Sequence, residues 1–194
     1  MRFLRRRPHG RPVPEPIPDD VPVEVDPARP WEVLSLVNEW VRHAEAKAGT
    51  ILAAAGVVAG VLYNLLDKQS QPPWTLTVPA AACGLLAALA GFMSIIALWP
   101  QLRARETPTS LLYFDHIARA YNTPEAYGRA LRGLVTSGEA ELQQVAQQVW
   151  VNATVARRKY LWAGRALVLL IASIVACSWT GTYLALNSIG LIGG

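Results

Sequence analysis

Charge is scarce in this chain: Asp, Glu, Lys and Arg make up 16% of its 194 residues, against about 25% in a soluble domain. That shortage argues against an ordinary soluble domain, and the length excludes a large multidomain enzyme. Cysteine is scarcer. Cys83 and Cys177 both lie inside apolar runs, where thiols behave as small hydrophobes, and two of them build no disulfide or metal framework. Strand signals are missing throughout. So are an HExxH pair, a glycine-rich phosphate loop and a supported Ser–His–Asp order. Acid and histidine come close only at His43-Ala-Glu45 and Asp115-His116. On a helix those pairs diverge by about 200° and 100°, which disfavours a shared metal. No catalytic or metal-ligating residue is assigned, and the chain is not expected to be an enzyme.

What the chain has is long uncharged runs and a mean hydropathy of +0.23. Ala48–Leu66, a core at 76–99 and a run over 161–187 interrupted only by Arg165 each suffice to cross about 30 Å of hydrocarbon as helix. Trp99, Tyr160 and Trp162 mark one interface and Tyr63, Trp74 and Tyr183 the other, as amphipathic rings do. Arg165 lies one turn inside the third span, close enough to snorkel back. The fold class that follows is an all-α membrane protein with three transmembrane helices.

Orientation follows from the loops. Residues 100–160 carry eight Lys/Arg against five Asp/Glu, and Arg157, Arg158 and Lys159 abut the third span. The positive-inside rule makes this segment and the N-terminus cytoplasmic and the C-terminus periplasmic, in a multi-pass inner-membrane protein. This reading of the basic residues outweighs nucleic-acid binding, and no nucleic-acid partner is expected.

Eight of the 14 prolines fall in the first 30 residues, so residues 1–29 read as a proline-rich cytoplasmic tail outside a domain of residues 30–194. Pro12-Val-Pro-Glu-Pro-Ile-Pro18 favours polyproline II geometry. Arg5-Arg-Arg7 lacks the apolar run that a signal peptide would place after it. Next, Val33, Leu36, Val37, Trp40, Val41, Ala44 and Ala48 fall on one helical face. No breaker separates this helix, over 30–47, from the first span. Within 108–160, Thr107-Pro108 and Thr123-Pro124 read as N-cap and N1, starting helices near 108–121 and 124–135. Thr136-Ser-Gly-Glu139 has capping-box spacing. Leu142, Val145, Ala146, Val149, Ala153, Ala156 and Tyr160 form a stripe on a helix that runs on into the third span. Extensions of spans 1 and 3 and two short helices thus form a cytoplasmic bundle.

Inside the spans, Gly56-Val-Val-Ala-Gly60 is a GxxxG, and the second span carries Gly84, Ala88 and Gly91. Small residues let helices approach closely, either within one chain or between copies of a homo-oligomer. Ser173, Ser178, Thr180 and Thr182 line a wet interior or bond back to their own carbonyls. Nothing resembles a selectivity filter or charged pore ring.

His43-Ala-Glu-Ala-Lys-Ala-Gly49 leading into a small-residue span resembles the start of the Pycsar effector transmembrane family. So does Trp99-Pro100 closing the second span before Ser110-Leu-Leu-Tyr-Phe-Asp-His-Ile-Ala118, and Arg157-Arg-Lys-Tyr-Leu-Trp162 feeding the last span. The resemblance covers about residues 33–187. It implies bacterial anti-phage defence, in which a partner pyrimidine nucleotide cyclase makes cyclic UMP or cyclic CMP and the effector then impairs the inner membrane, an abortive infection. No cofactor is implied beyond that activating ligand, and the partners would be the bilayer and other copies of the chain. Under this implication Arg119, Arg129 and Arg132 meet the cyclic phosphate, near Tyr113, Phe114 and His116, with Tyr121 and Tyr127 as further rings for stacking. Solvent-facing arginines and core aromatics account for the same residues without a ligand. The competing reading is a membrane-anchored module recruiting a soluble partner through the bundle.

Overall fold

The computed structural model describes residues 26, 28–67, 69, 73–99 and 110–190. The proline-rich run, Arg103, Arg105, Pro100 and the Thr107-Pro108 cap lie outside the described residues. Five helices follow in order: α1 (Arg29–Leu66), α2 (Trp74–Leu98), α3 (Phe114–Ala120), α4 (Pro124–Val135) and α5 (Gly138–Ser188). No strand occurs among the described residues. α1, α2 and α5 are long and apolar enough to cross a membrane.

The two uninterrupted helices are the main architectural fact. α1 has 38 residues and α5 has 51, or about 57 Å and 77 Å of rod at 1.5 Å per residue. Both run in the same direction, from the extramembrane end through the apolar zone, and α2 returns between them. At the far end Thr75 Oγ1 donates to the Tyr183 hydroxyl at 3.0 Å, tying the start of α2 to the end of α5.

Hydropathy cannot show which face of an apolar helix is inside, but the buried residues do. On α2 they are Leu76, Ala80, Cys83, Ala87, Ala90, Ser94 and Ala97, in alternating steps of four and three. Leu34, Val37, Ala44, Ala48, Ile51, Ala55 and Leu62 on α1 keep the same heptad, as does α5 from Ala156 to Thr180. This 3.5-residue period is that of a left-handed coiled coil. Its seam is built of small side chains, because lipid offers no hydrophobic drive and close packing must hold the helices together. Ala48, Ala97 and Ala163 meet in one layer, and Ile51, Ala55, Ala90, Ala166 and Leu170 in the next.

The seam departs from the sequence stripes in an ordered way. On α1, Val37, Ala44 and Ala48 are buried, while Val33, Leu36 and Trp40 are exposed. On α5, Val145 and Ala156 are buried, but Leu142 and Tyr160 face outward and Gln148 and Lys159 take seam positions. An apolar arc read at 3.6 residues per turn is wider than a seam kept at 3.5.

Two caps also differ. Thr123 accepts from Ala126 N at 3.3 Å and opens α4 as expected. Thr136 instead donates to the Arg132 and Gly133 carbonyls, so it closes α4 and takes no part in a capping box for α5. The helix expected near 108–121 starts at Phe114, after a turn at 110–113.

Candidate functional site

The extramembrane end is organised by a turn that hydrogen bonds to α5 at several points. Ser110 is buried, and its backbone N–H donates to His116 Nδ1 at 2.9 Å. That bond leaves Nδ1 as the acceptor and fixes the ring proton of neutral His116 on Nε2. Leu111 N donates to Gln144 Oε1 at 3.1 Å, and the Tyr127 hydroxyl donates to the Leu111 carbonyl at 3.1 Å. The turn is thereby tied to both α4 and α5.

From this turn a polar relay crosses to α1. Ser110 Oγ donates to Gln148 Oε1 at 3.4 Å, Gln148 Nε2 to Asn152 Oδ1 at 3.1 Å, and Asn152 Nδ2 to Asn38 Oδ1 at 2.7 Å. One heptad closer to the membrane, Lys159 Nζ donates to Glu45 Oε1 at 2.7 Å. Near the tip, Trp31 Nε1 donates to Glu141 Oε1 at 2.7 Å. These polar contacts fix which residue faces which, since a slip would strand the buried Gln148 and Lys159.

Of the candidate nucleotide contacts, the structure brings three together. The Tyr113 ring lies 4.8 Å from that of Phe114 and 5.0 Å from that of His116. Burial pushes the Tyr113 phenol above its ordinary pKa, the Asp115 carboxylate adds to this, and Arg119 partly offsets it. Arg119 donates from Nε to Asp115 at 3.1 Å on the exposed face of α3. Arg129 and Arg132 are exposed on α4, apart from the ring cluster. Between α3 and α4 lies a cleft of about 260 Å³, lined by Ile117, Tyr121, Asn122, Thr123 and Tyr127 among others. Tyr121 and Tyr127 meet there edge to face at 5.6 Å.

Ser110, Gln144, Gln148, Asn152 and Asn38 were not singled out as site residues from the sequence. Only Gln148 carried a signal, a polar side chain at a seam position where an apolar one is expected; Ser110 lies in a turn and Asn38 on the exposed side of α1. Lys159, read with Arg157 and Arg158 as an orientation charge, turns inward to the seam, while the two arginines stay exposed. Among the described residues no three His, Cys, Asp or Glu side chains converge as a metal site would require.

The small residues of the spans divide. A methyl added at Gly84 would lie 3.4 Å from Leu62, and one at Gly91 3.6 Å from Leu52, so both glycines pack inside the chain against α1. Gly56 and Gly60 have nothing within 4 Å, and with Ala88 they face outward. Ser173 donates to the Cys83 carbonyl at 2.9 Å across the α2–α5 seam. Thr180 bonds back to Ala176 at 2.9 Å.

A family model described as the Pycsar effector protein domain matches residues 30–186. The Pycsar effector protein PtPycTM of Propioniciclava tarda is 35% identical over 148 residues, which is 75% of this chain and 73% of the relative. No solved structure matches.

Proposed function

The chain belongs to the Pycsar effector family, membrane effectors of anti-phage defence set in a cyclase-signalling system, and from that premise we propose that it senses a cyclic pyrimidine nucleotide at its extramembrane end and impairs the inner membrane in response. The single observation that carries the mechanism is the continuity of α1 and α5. A change in how the bundle packs has no hinge in which to dissipate before it reaches the spans.

Cyclic UMP or cyclic CMP would be held by α3 and α4. Tyr113, Phe114 and His116, or the Tyr121–Tyr127 cleft, offer rings for the base, and Arg119, Arg129 and Arg132 offer guanidinium groups for the phosphate. The relay from Ser110 to Asn38 then gives the ligand leverage on the α1–α5 seam. A near-complete switch requires the ligand to prefer the active packing by about 5.5 kcal/mol. The outward Gly56 and Gly60 favour assembly between copies as the output. The exposed Arg157 and Arg158 favour a cytoplasmic bundle with N-terminus inside and C-terminus in the periplasm. The role is that of an effector, and no catalytic step is proposed.

The test is membrane potential and propidium uptake in bacteria expressing the chain with and without a pyrimidine nucleotide cyclase. Depolarisation or dye entry only with an active cyclase supports the reading. An inserted protein that leaves the membrane polarised in both cases contradicts it and favours an anchored module that recruits a soluble partner.

A further inference from the structure

We propose that the proline-rich segment, through residues 21–25, docks, within its own chain, along an apolar groove between the tips of α1 and α5. This inference does not depend on a nucleotide. The groove encloses about 530 Å³ and is lined by Arg29, Pro30, Val33, Leu142, Val149 and Trp150 among others, with Arg29 the only charged residue on its walls among the described residues. It lies on the extramembrane stretch of both helices, so lipid does not explain its apolarity. Trp150 is 65% exposed and Val33, which shares the groove with it, 47%, and Leu36 and Trp40 further along α1 are also exposed. Such a patch on a surface away from the bilayer marks an interaction site. Among the described residues, α1 and α5 alone line it, and the turn at 110–113 is bonded to other residues of α5, Gln144 and Gln148.

Position and chemistry select the occupant. Residues 1–25, outside the described residues, lead into Asp26, three residues before Arg29, which lines the groove. A turn begins there: Asp26 Oδ1 accepts from Ala28 N at 3.0 Å, and its carbonyl accepts from Arg29 N at 3.2 Å. The segment alternates proline with apolar residues in Pro12-Val-Pro-Glu-Pro-Ile-Pro18 and Val21-Pro-Val-Glu-Val25. Segments of this composition favour polyproline II and dock in aromatic-lined grooves at little entropic cost. Five residues at about 3.1 Å each span about 15 Å, matching the roughly 16 Å of α5 between Leu142 and Ala153. Charge agrees as well. Between residues 12 and 25 the sequence has four acids, Glu15, Asp19, Asp20 and Glu24, and no Lys or Arg, while Arg29 has no ion pair among the described residues. The family match begins at residue 30, so this device would belong to the individual chain.

The test uses the full chain in nanodiscs with a benzophenone amino acid in place of Val23. Irradiation should give a product of single-chain mass whose adduct maps to residues 142–153. Trp150→Ala or Leu142→Glu should lower its yield at least fivefold. Both positions are exposed enough to substitute without unfolding the bundle. Adducts between two chains would assign the groove to a second copy and overturn the proposal. Adducts to lipid alone, or yields indifferent to both substitutions, would overturn it too. Hydrogen exchange on the chain without the photoprobe gives a second reading. Deleting residues 2–25 should raise exchange over 142–153 several-fold, and equal exchange contradicts docking.

Discussion

Lys159 and Glu45 form a 2.7 Å ion pair across the α1–α5 seam, with the lysine side chain 5% exposed and the carboxylate 42% exposed. The pair sits one heptad from Asn38–Asn152, where the extramembrane rods approach the apolar zone. A buried charge is retained only with its partner, so the two halves respond differently to truncation. Glu45→Gln strands the ammonium and should cost about 2 kcal/mol, below the range for fully buried pairs because the carboxylate is partly solvated. Lys159→Met fits the apolar seam and should be near neutral. Thermal unfolding in detergent separates them; equal losses would contradict the asymmetry.

Gln148→Leu should detach the Ser110 turn. It removes the acceptor of Ser110 Oγ and the donor to Asn152, an expected loss of about 1–3 kcal/mol for groups left without partners. Hydrogen exchange over 110–120 should quicken while the spans stay protected.

How much was legible in the sequence follows from the same residues. The three spans, both continuous rods and the Thr123-Pro124 cap could be read because each rests on local chemistry: uncharged length, absence of breakers, a hydroxyl before proline. The direction of the seam could not be read. Within an all-apolar span every face has the same hydropathy, and Ala80, Cys83, Ala87 and Ser94 declare themselves only by their common heptad. Gln148 and Lys159 could not be placed on the seam, because single-helix periodicity carries no record of a partner helix. Thr136 misled because its hydroxyl can cap forward or bond backward, and the choice depends on where α4 ends.

The two kinds of small residue should separate in mutagenesis. Gly84→Leu and Gly91→Leu should drive α2 from α1, against Leu62 and Leu52, and lower stability by about 1–3 kcal/mol, as overpacking does. A Cβ at Gly56 or Gly60 has nothing within 4 Å among the described residues, and Gly56→Leu and Gly60→Leu should leave the chain's unfolding unchanged. A loss of membrane damage from the second pair alone would then report contact between copies.

Tyr113 links the bundle to pH. Its phenol is held above the ordinary value of about 10, first by burial and then by Asp115. The folded state therefore holds the proton more tightly than the unfolded chain. The stabilisation is complete below the unfolded pKa and is lost as pH rises through the folded one. Ultraviolet titration should show one phenol ionising late, and Tyr113→Phe should remove that component together with its share of the stability loss above about pH 10.

On the proposed mechanism, a ligand at the bundle acts on the membrane through the two rods. Dye release from vesicles holding the purified chain, with cyclic UMP or cyclic CMP added, is to be measured on the native chain and on one with two glycines inserted after Ala46 and after Arg158. Nucleotide-dependent release is expected from the native chain and none from the interrupted one, with nucleotide binding retained. Release that persists through both interruptions would contradict the mechanism.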